Sequence, residues 1–181
     1  IKPDGTKLFI MGTNLGNWLN PEGYMFKFSK TNSPRFINEM FCQLVGPDFT
    51  AEFWKAFKDN YITREDIQFI KNTGANTIRL PFHYKLFTDE DFMGLTAGQD
   101  GFARVDSVVE WCREADLYLI LDMHDAPGGQ TGDNIDDSYG YPWLFESEAS
   151  QQLYCDIWRK IADRYKNEPV ILGYELFNEP I

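Results

Sequence analysis

The chain has 181 residues, 43% of them hydrophobic, and a formal net charge of -11. No apolar run approaches the ~20 residues that a membrane-crossing helix needs, and the acidic balance argues against nucleic acid or an anionic membrane surface as the main partner. The length suits one domain with a sizeable core.

Aromatic residues reach 16%. Most belong in a core, and the surplus suits stacking against flat ligands such as sugar rings. The three cysteines, Cys42, Cys112 and Cys155, include no CxxC pair, so neither a zinc site nor a disulfide framework is expected. Cys112 and Cys155 fall in helical patterns and are expected to be buried thiols. Two histidines cannot build a His-rich metal site, and no metal or organic cofactor is expected. The sequence opens on Ile1 without a signal-like segment, which is the pattern of a processed or trimmed N-terminus.

In chain order, "LFIMGTNL" (8–15) predicts a short buried strand. "GNWLNPEGYMFKFSKTNSP" is a loop by its Gly, Pro and Asn content. Residues 35–60 look irregular to helical, with Phe49, Phe53, Trp54 and Phe57 as packing positions. Thr63-Arg64-Glu65-Asp66 predicts a capping box opening a helix that Gly74 closes. "ANTIRLPF" predicts a second strand ending at Pro81, followed by a loop to about residue 101. Val105, Val108, Val109 and Cys112, at i, i+3, i+4 and i+7, mark one face of a helix. "LYLILDMH" is a third strand, and a long Gly/Asp-rich loop follows it. Leu153, Ile157 and Ile161 stripe another helix before the fourth strand, "PVILGYELFNEP". Continuous apolar strands separated by helices predict an α/β fold with a parallel sheet.

The polar residues share one address. Asn14 lies near the end of strand one, Arg79 near the end of strand two, Asp122 and His124 at the end of strand three, and Asn178 and Glu179 at the end of strand four. In parallel α/β folds ligands bind outside the carboxyl ends of the strands. Each residue alone has a plain structural reading: Arg79 as a buried ion-pair partner, Asp122 as a support for His124, Glu179 as a carboxylate near a helix start. Four polar strand ends together point to a site. Cutting a glycosidic bond needs one carboxylic acid to protonate the leaving oxygen and a second carboxylate, which in retaining enzymes is the nucleophile. Glu179 fits the acid. Asn178, Arg79 and His83 fit substrate binding, with Trp18, Phe82, Tyr84, Tyr139, Tyr141 and Trp143 as candidate linings of a cleft.

These residues carry a family resemblance. "GTNLGNWL", "TREDIQFIKNTGANTIRLPF", "LILDMHDAPGGQ" and "YELFNEP" resemble, in order along the whole chain, the N-terminal half of a glycoside hydrolase family 5 catalytic domain of the cellulase and exo-β-1,3-glucanase group. The resemblance implies a (β/α)8 barrel, of which residues 1–181 would supply the first four strands. It implies a retaining β-glycosidase acting on β-glucans or β-glucosides, with Glu179 as general acid/base and Asn178 on the sugar 2-hydroxyl. Arg79 and His124 would stand around the cleaved sugar, supported by Asp122 and Asn14. "HDAPGGQ" tilts the likeness towards the exo-β-1,3-glucanases.

The family's nucleophile is a Glu on strand seven, and a whole barrel takes about 250 residues. A half barrel would therefore be inactive alone, with two open sheet edges and an apolar inner face, and would pair with itself or with a complementary half. Family habit implies a secreted or periplasmic location. Two other readings compete: a non-catalytic carbohydrate-binding half barrel, and a flavodoxin-like or Rossmann-like protein. The latter is disfavoured because "GTNLGN" lacks the third glycine of the phosphate fingerprint and precedes a loop, not a helix.

Overall fold

The computed structural model describes residues 5–90, 92–94 and 99–180. The expected loop between residues 82 and 101 lies partly outside them, as do Ile1 and Ile181. Four strands form one sheet in the order β1-β2-β3-β4, all parallel. They are β1 Gly12–Asn14, β2 Thr77–His83, β3 Tyr118–Asp125 and β4 Ile171–Glu175. Between β1 and β2 run α1 Pro34–Val45, α2 Pro47–Asn60 and α3 Arg64–Asn72. Helix α4, Gln99–Glu114, joins β2 to β3, and α5, Glu148–Tyr165, joins β3 to β4. The expected region of irregular to helical chain thus holds two full helices, each with a proline in its first turn, where a missing N–H costs nothing.

Local chemistry accounts for the crossovers. The Thr63–Asp66 capping box forms, with Thr63 N–H donating to Asp66 Oδ2 at 2.8 Å. Gly74 adopts φ 95° just past the end of α3. Val105, Val108, Val109 and Cys112 are buried on α4, and Ile157 and Ile161 on α5. They pack against the outward face of the sheet, where Ile78, Leu80, Phe82, Leu119, Leu121 and Met123 are all buried. Cys155, by contrast, is exposed, because it lies off the buried stripe of α5.

Three expectations about the strands change. Only Gly12–Asn14 of the first segment is strand, and it is exposed: β1 is the outermost strand of this sheet, so one of its edges has no neighbour here. Gly12 is required there, since a Cβ would stand 2.0 Å from Thr77 O. The second strand does not end at Pro81 but runs through it to His83. Arg79 O accepts from Leu15 N–H, and His83 N–H donates to Leu19 O, both towards the β1 side. Pro81 lies between them in the alternation, so its missing N–H faces the gap where the chain has left the sheet after Asn14. Finally, the inner face is polar, not apolar. It carries Arg79, Asp122 and Glu175, with Ile120 beside Arg79 in register. Exposed apolar side chains lie at the two edges, Phe9, Ile10 and Met11 before β1 and Tyr174 and Leu176 at β4, and also on the helices, among them Leu44, Phe49 and Phe69.

Candidate active site

The inner face gathers its charges around Arg79. Its guanidinium donates from Nε to Glu175 Oε2 at 2.6 Å and from Nη2 to Glu175 Oε1 at 2.8 Å. Nη2 also donates to Asn178 Oδ1 at 3.0 Å and stands 3.0 Å from Asp122 Oδ2. Asp122 Oδ2 in turn accepts from His124 Nδ1 at 2.7 Å. Strand register produces this group: Arg79 pairs with Ile120, and Asp122 with Glu175, so the three charged residues occupy one face of adjacent strands. Hydrogen bonds from Arg79 hold the Glu175 carboxyl below the usual carboxylate range. Burial pushes Asp122 up, and the His124 and Arg79 contacts oppose it.

A β-bulge at the end of β3 extends the site. Phe82 pairs with Met123 but His83 pairs with Asp125, so His124 is an extra residue in the ladder. The one-residue shift turns both His124 and Asp125 to the side of the cleft. That cleft has a volume of about 450 Å³. Asn14, Arg79, Pro81 and His124 line its floor. Glu22, Tyr24 and Met25, from the loop after β1, form one wall, and Gln130, Thr131, Ile135 and Asp136, from the loop after β3, form another. Asn178 and Glu179 close it beyond β4. Burial raises the Glu22 carboxyl; the Glu179 charge adds to this, while His124, a hydrogen bond with Tyr24 and Arg79 oppose it. Glu179 is exposed and holds a left-handed φ of 42°.

Of the residues picked out in the sequence, Asn14, Arg79, His124, Asn178 and Glu179 line one cleft, with Asp122 buried behind them. Seven others do not line it: Phe82 is fully buried on the outward face of the sheet, Tyr139 and Tyr141 are exposed away from the cleft, and the remaining four are Trp18, His83, Tyr84 and Trp143. Trp18 is buried in the core, its Nε1 donating to Lys58 O at 2.9 Å. His83 is fully buried, stacked between Tyr84 and Phe92 at 4.9 and 4.4 Å. Tyr84 is held by that stack, and burial raises its hydroxyl well above the usual range. Trp143 is 48% exposed and packs on Tyr141 at 5.0 Å. Residue type marks aromatics as packing or stacking groups but does not say to which side of the chain they turn. The site also contains Glu22, Glu175, Asp125 and Gln130, which the sequence reading does not pick out, although Glu175 lies in "YELFNEP" and Asp125 and Gln130 lie in "HDAPGGQ". Glu175 shares its strand face with Gly173, and counting by two along β4 would have found it.

One group of possible metal ligands stands among the described residues: His83, Asp125 and Asp137. His83 Nε2 lies 3.0 Å from Asp137 Oδ2 and 3.6 Å from Asp125 Oδ2. The donor set does not suit a cation. His83 Nδ1 accepts from Lys85 N–H at 3.2 Å, so Nδ1 carries the lone pair and Nε2 the proton. The ring thus presents an N–H, not a lone pair, to the two carboxylates. Burial lowers the His83 pKa, and the hydrogen bond and charge of Asp137 oppose it.

The architecture is the first half of a (β/α)8 barrel, with its polar groups collected at the carboxyl ends of the strands. The chain belongs to the cellulase family, glycosyl hydrolase family 5, whose model matches residues 36–181. It is 31% identical over 181 residues to a beta-xylosidase of Phanerodontia chrysosporium, covering 99% of this chain and 37% of that protein. It is 38% identical over 129 residues to endoglucanase C of Acetivibrio thermocellus, covering 71% of this chain and 36% of the relative. A glucan 1,3-beta-glucosidase of Kluyveromyces lactis is 28% identical over 185 residues, covering 95% and 42%. The chain therefore spans less than half the length of these relatives. The structure of rutinosidase from Aspergillus niger superposes with a TM-score of 0.74 at 22% identity, over 93% of this chain and 48% of that one, which is a likeness of fold.

Proposed function

We propose that this chain supplies the acid/base half of a retaining β-glycosidase acting on β-glucans or β-glucosides. Glu179 is the general acid/base. The nucleophile is a Glu on strand seven of the family barrel, outside these 181 residues, and the chain is inactive without it. The observation that carries the reading is the bond from Arg79 Nη2 to Asn178 Oδ1, which ties the residue before Glu179 to the charged floor of the cleft.

That bond occupies the Asn178 oxygen and leaves its amide N–H groups to donate to a sugar 2-hydroxyl. His124 Nδ1–H donates a hydrogen bond to Asp122, and in that neutral tautomer Nε2 is an acceptor for a sugar hydroxyl in the cleft. Glu179 then protonates the leaving oxygen and, in the second step, takes a proton from water. Asn14 and Asp122 hold this floor in place. The complementary half barrel is the partner of the open edges. The acidic balance supports neither nucleic acid nor an anionic membrane surface as a partner, and the family's habit supports a secreted or periplasmic location.

Glu179→Gln tests the reading in a polypeptide joining this chain to strands five to eight. Turnover of aryl β-glucosides and β-glucans should fall at least about 100-fold, the scale of a lost general acid, with oligosaccharide binding kept. Unchanged turnover would refute the assignment. A protein that binds β-glucan, yet hydrolyses none before the substitution, would be a carbohydrate-binding module instead.

A further inference from the structure

We propose that Gln130 positions the general acid by fixing the peptide group between Asn178 and Glu179. This rests on the reading of Glu179 as acid/base. The β4 ladder ends where Glu175 pairs with Asp122, so Asn178 and Glu179 lie beyond it. Two hydrogen bonds hold the backbone of Asn178. Asn178 N–H donates to Met123 O at 3.3 Å, and Asn178 O accepts from Gln130 Nε2 at 2.9 Å. The second bond governs the peptide plane that leads into Glu179. That residue holds a left-handed φ of 42°, which a non-glycine residue keeps only when its surroundings impose it.

Gln130 is built for such a task. It is fully buried, and all of its side-chain hydrogen-bonding groups have partners. Nε2 donates a second time to His124 O at 2.6 Å, and Oε1 accepts from Ala126 N–H at 3.1 Å. One side-chain amide thus ties the end of β3 to the segment after β4. Its own backbone is anchored by Asp136, whose Oδ2 accepts from Gln130 N–H and Thr131 N–H, each at 2.7 Å. Gln130 stands in the cleft wall and acts through Asn178, so it is a positioning residue. Displacing an acid by about 1 Å is enough to cost a large factor in rate.

Gln130→Met keeps the length of the side chain and removes both donated bonds. In the polypeptide carrying strands five to eight, kcat/KM for phenyl β-glucoside, whose poor leaving group needs the acid, should fall about 100-fold. That for 2,4-dinitrophenyl β-glucoside, which departs with little protonation, should fall less than about threefold. Equal losses on both substrates, or none, would overturn the proposal. Hydrogen exchange of the Gln130 side-chain amide in the unsubstituted protein needs no variant and no activity. Slow exchange supports the clamp, and exchange as fast as that of surface glutamines overturns it. A protein that hydrolyses neither glucoside before substitution loses the glycosidase reading, and the exchange measurement then decides the placement of Gln130 by itself.

Discussion

Arg79 and Glu175 meet as a bidentate pair from strands that are not neighbours, spanning β3 to do so. Such fork-to-fork pairing fixes direction as well as distance. It leaves Nη2 of Arg79 to face Asp122 and Asn178 as well.

The pair sets a pH dependence. The Glu175 carboxyl is lowered from 4.5 in the folded state, so its stabilisation is present above pH 4.5 and is lost as pH falls through the lower folded value. Glu175→Gln should lower the melting temperature at pH 7, and the gap should narrow as pH falls below 4.5. Its side chain is 38% exposed, which keeps the effect below about 1 kcal/mol, or roughly 2–4 °C. Melting curves of both proteins across pH 3–7 check this, and a gap independent of pH would contradict it.

Asp125 acts in the opposite sense. It is 1% exposed, and its Oδ2 lacks a hydrogen-bond partner. Burial, followed by the charges of Asp137 and Asp136, raises its pKa well above 3.8. Its favourable contribution is present below pH 3.8 and is lost as pH rises through the raised value. Asp125→Asn, which keeps an oxygen for Asn20 Nδ2, should therefore raise the melting temperature by a few degrees at pH 7. Near pH 3 the two proteins should melt together. A variant less stable at pH 7 would show that the carboxylate is compensated.

Trp18 separates packing from binding. Trp18→Phe should cost about 1–3 kcal/mol through lost volume and the lost bond to Lys58 O. Affinity for a soluble β-glucan oligosaccharide should stay within about twofold, because the side chain does not face the cleft. Denaturant titration and calorimetry on the same samples measure the two quantities. A tenfold loss of affinity would return Trp18 to the site.

The exposed apolar residues at both sheet edges predict association of the 181-residue chain. Sedimentation equilibrium should show a mass that rises with concentration, and Ile10→Lys at the β1 edge should reduce it. A monomer at every concentration would remove this expectation.

Much of the fold was legible because burial imposes period. The stripe Val105–Val108–Val109–Cys112 and the run "LYLILDMH" each admit one reading, and the capping box marks where α3 starts. The site was legible to the extent that it sits at strand ends. Asp125 was hidden by the bulge at His124, since strict alternation would have sent it to the other face. His83 follows a proline, which reads as a strand end, whereas β2 runs through Pro81 and carries His83 into the interior. Gln130 was hidden because its bonds run to backbone carbonyls far along the chain, which no local pattern records.

Pro81 gives the cleft a safeguard in the backbone itself. A longer first strand would zip up beside Pro81 and bring main chain to the edge of the cleft. At Pro81 such a strand would find no hydrogen to take, so its matching carbonyl would be left unsatisfied. The chain that leaves the sheet after Leu15 rejoins it only beyond Pro81, where Leu19 bridges Phe82 and Leu19 O accepts from His83 N–H. Pro81 thus offers one hydrogen bond fewer to any backbone that would close the opening, a bias of about 1 kcal/mol set by the main chain.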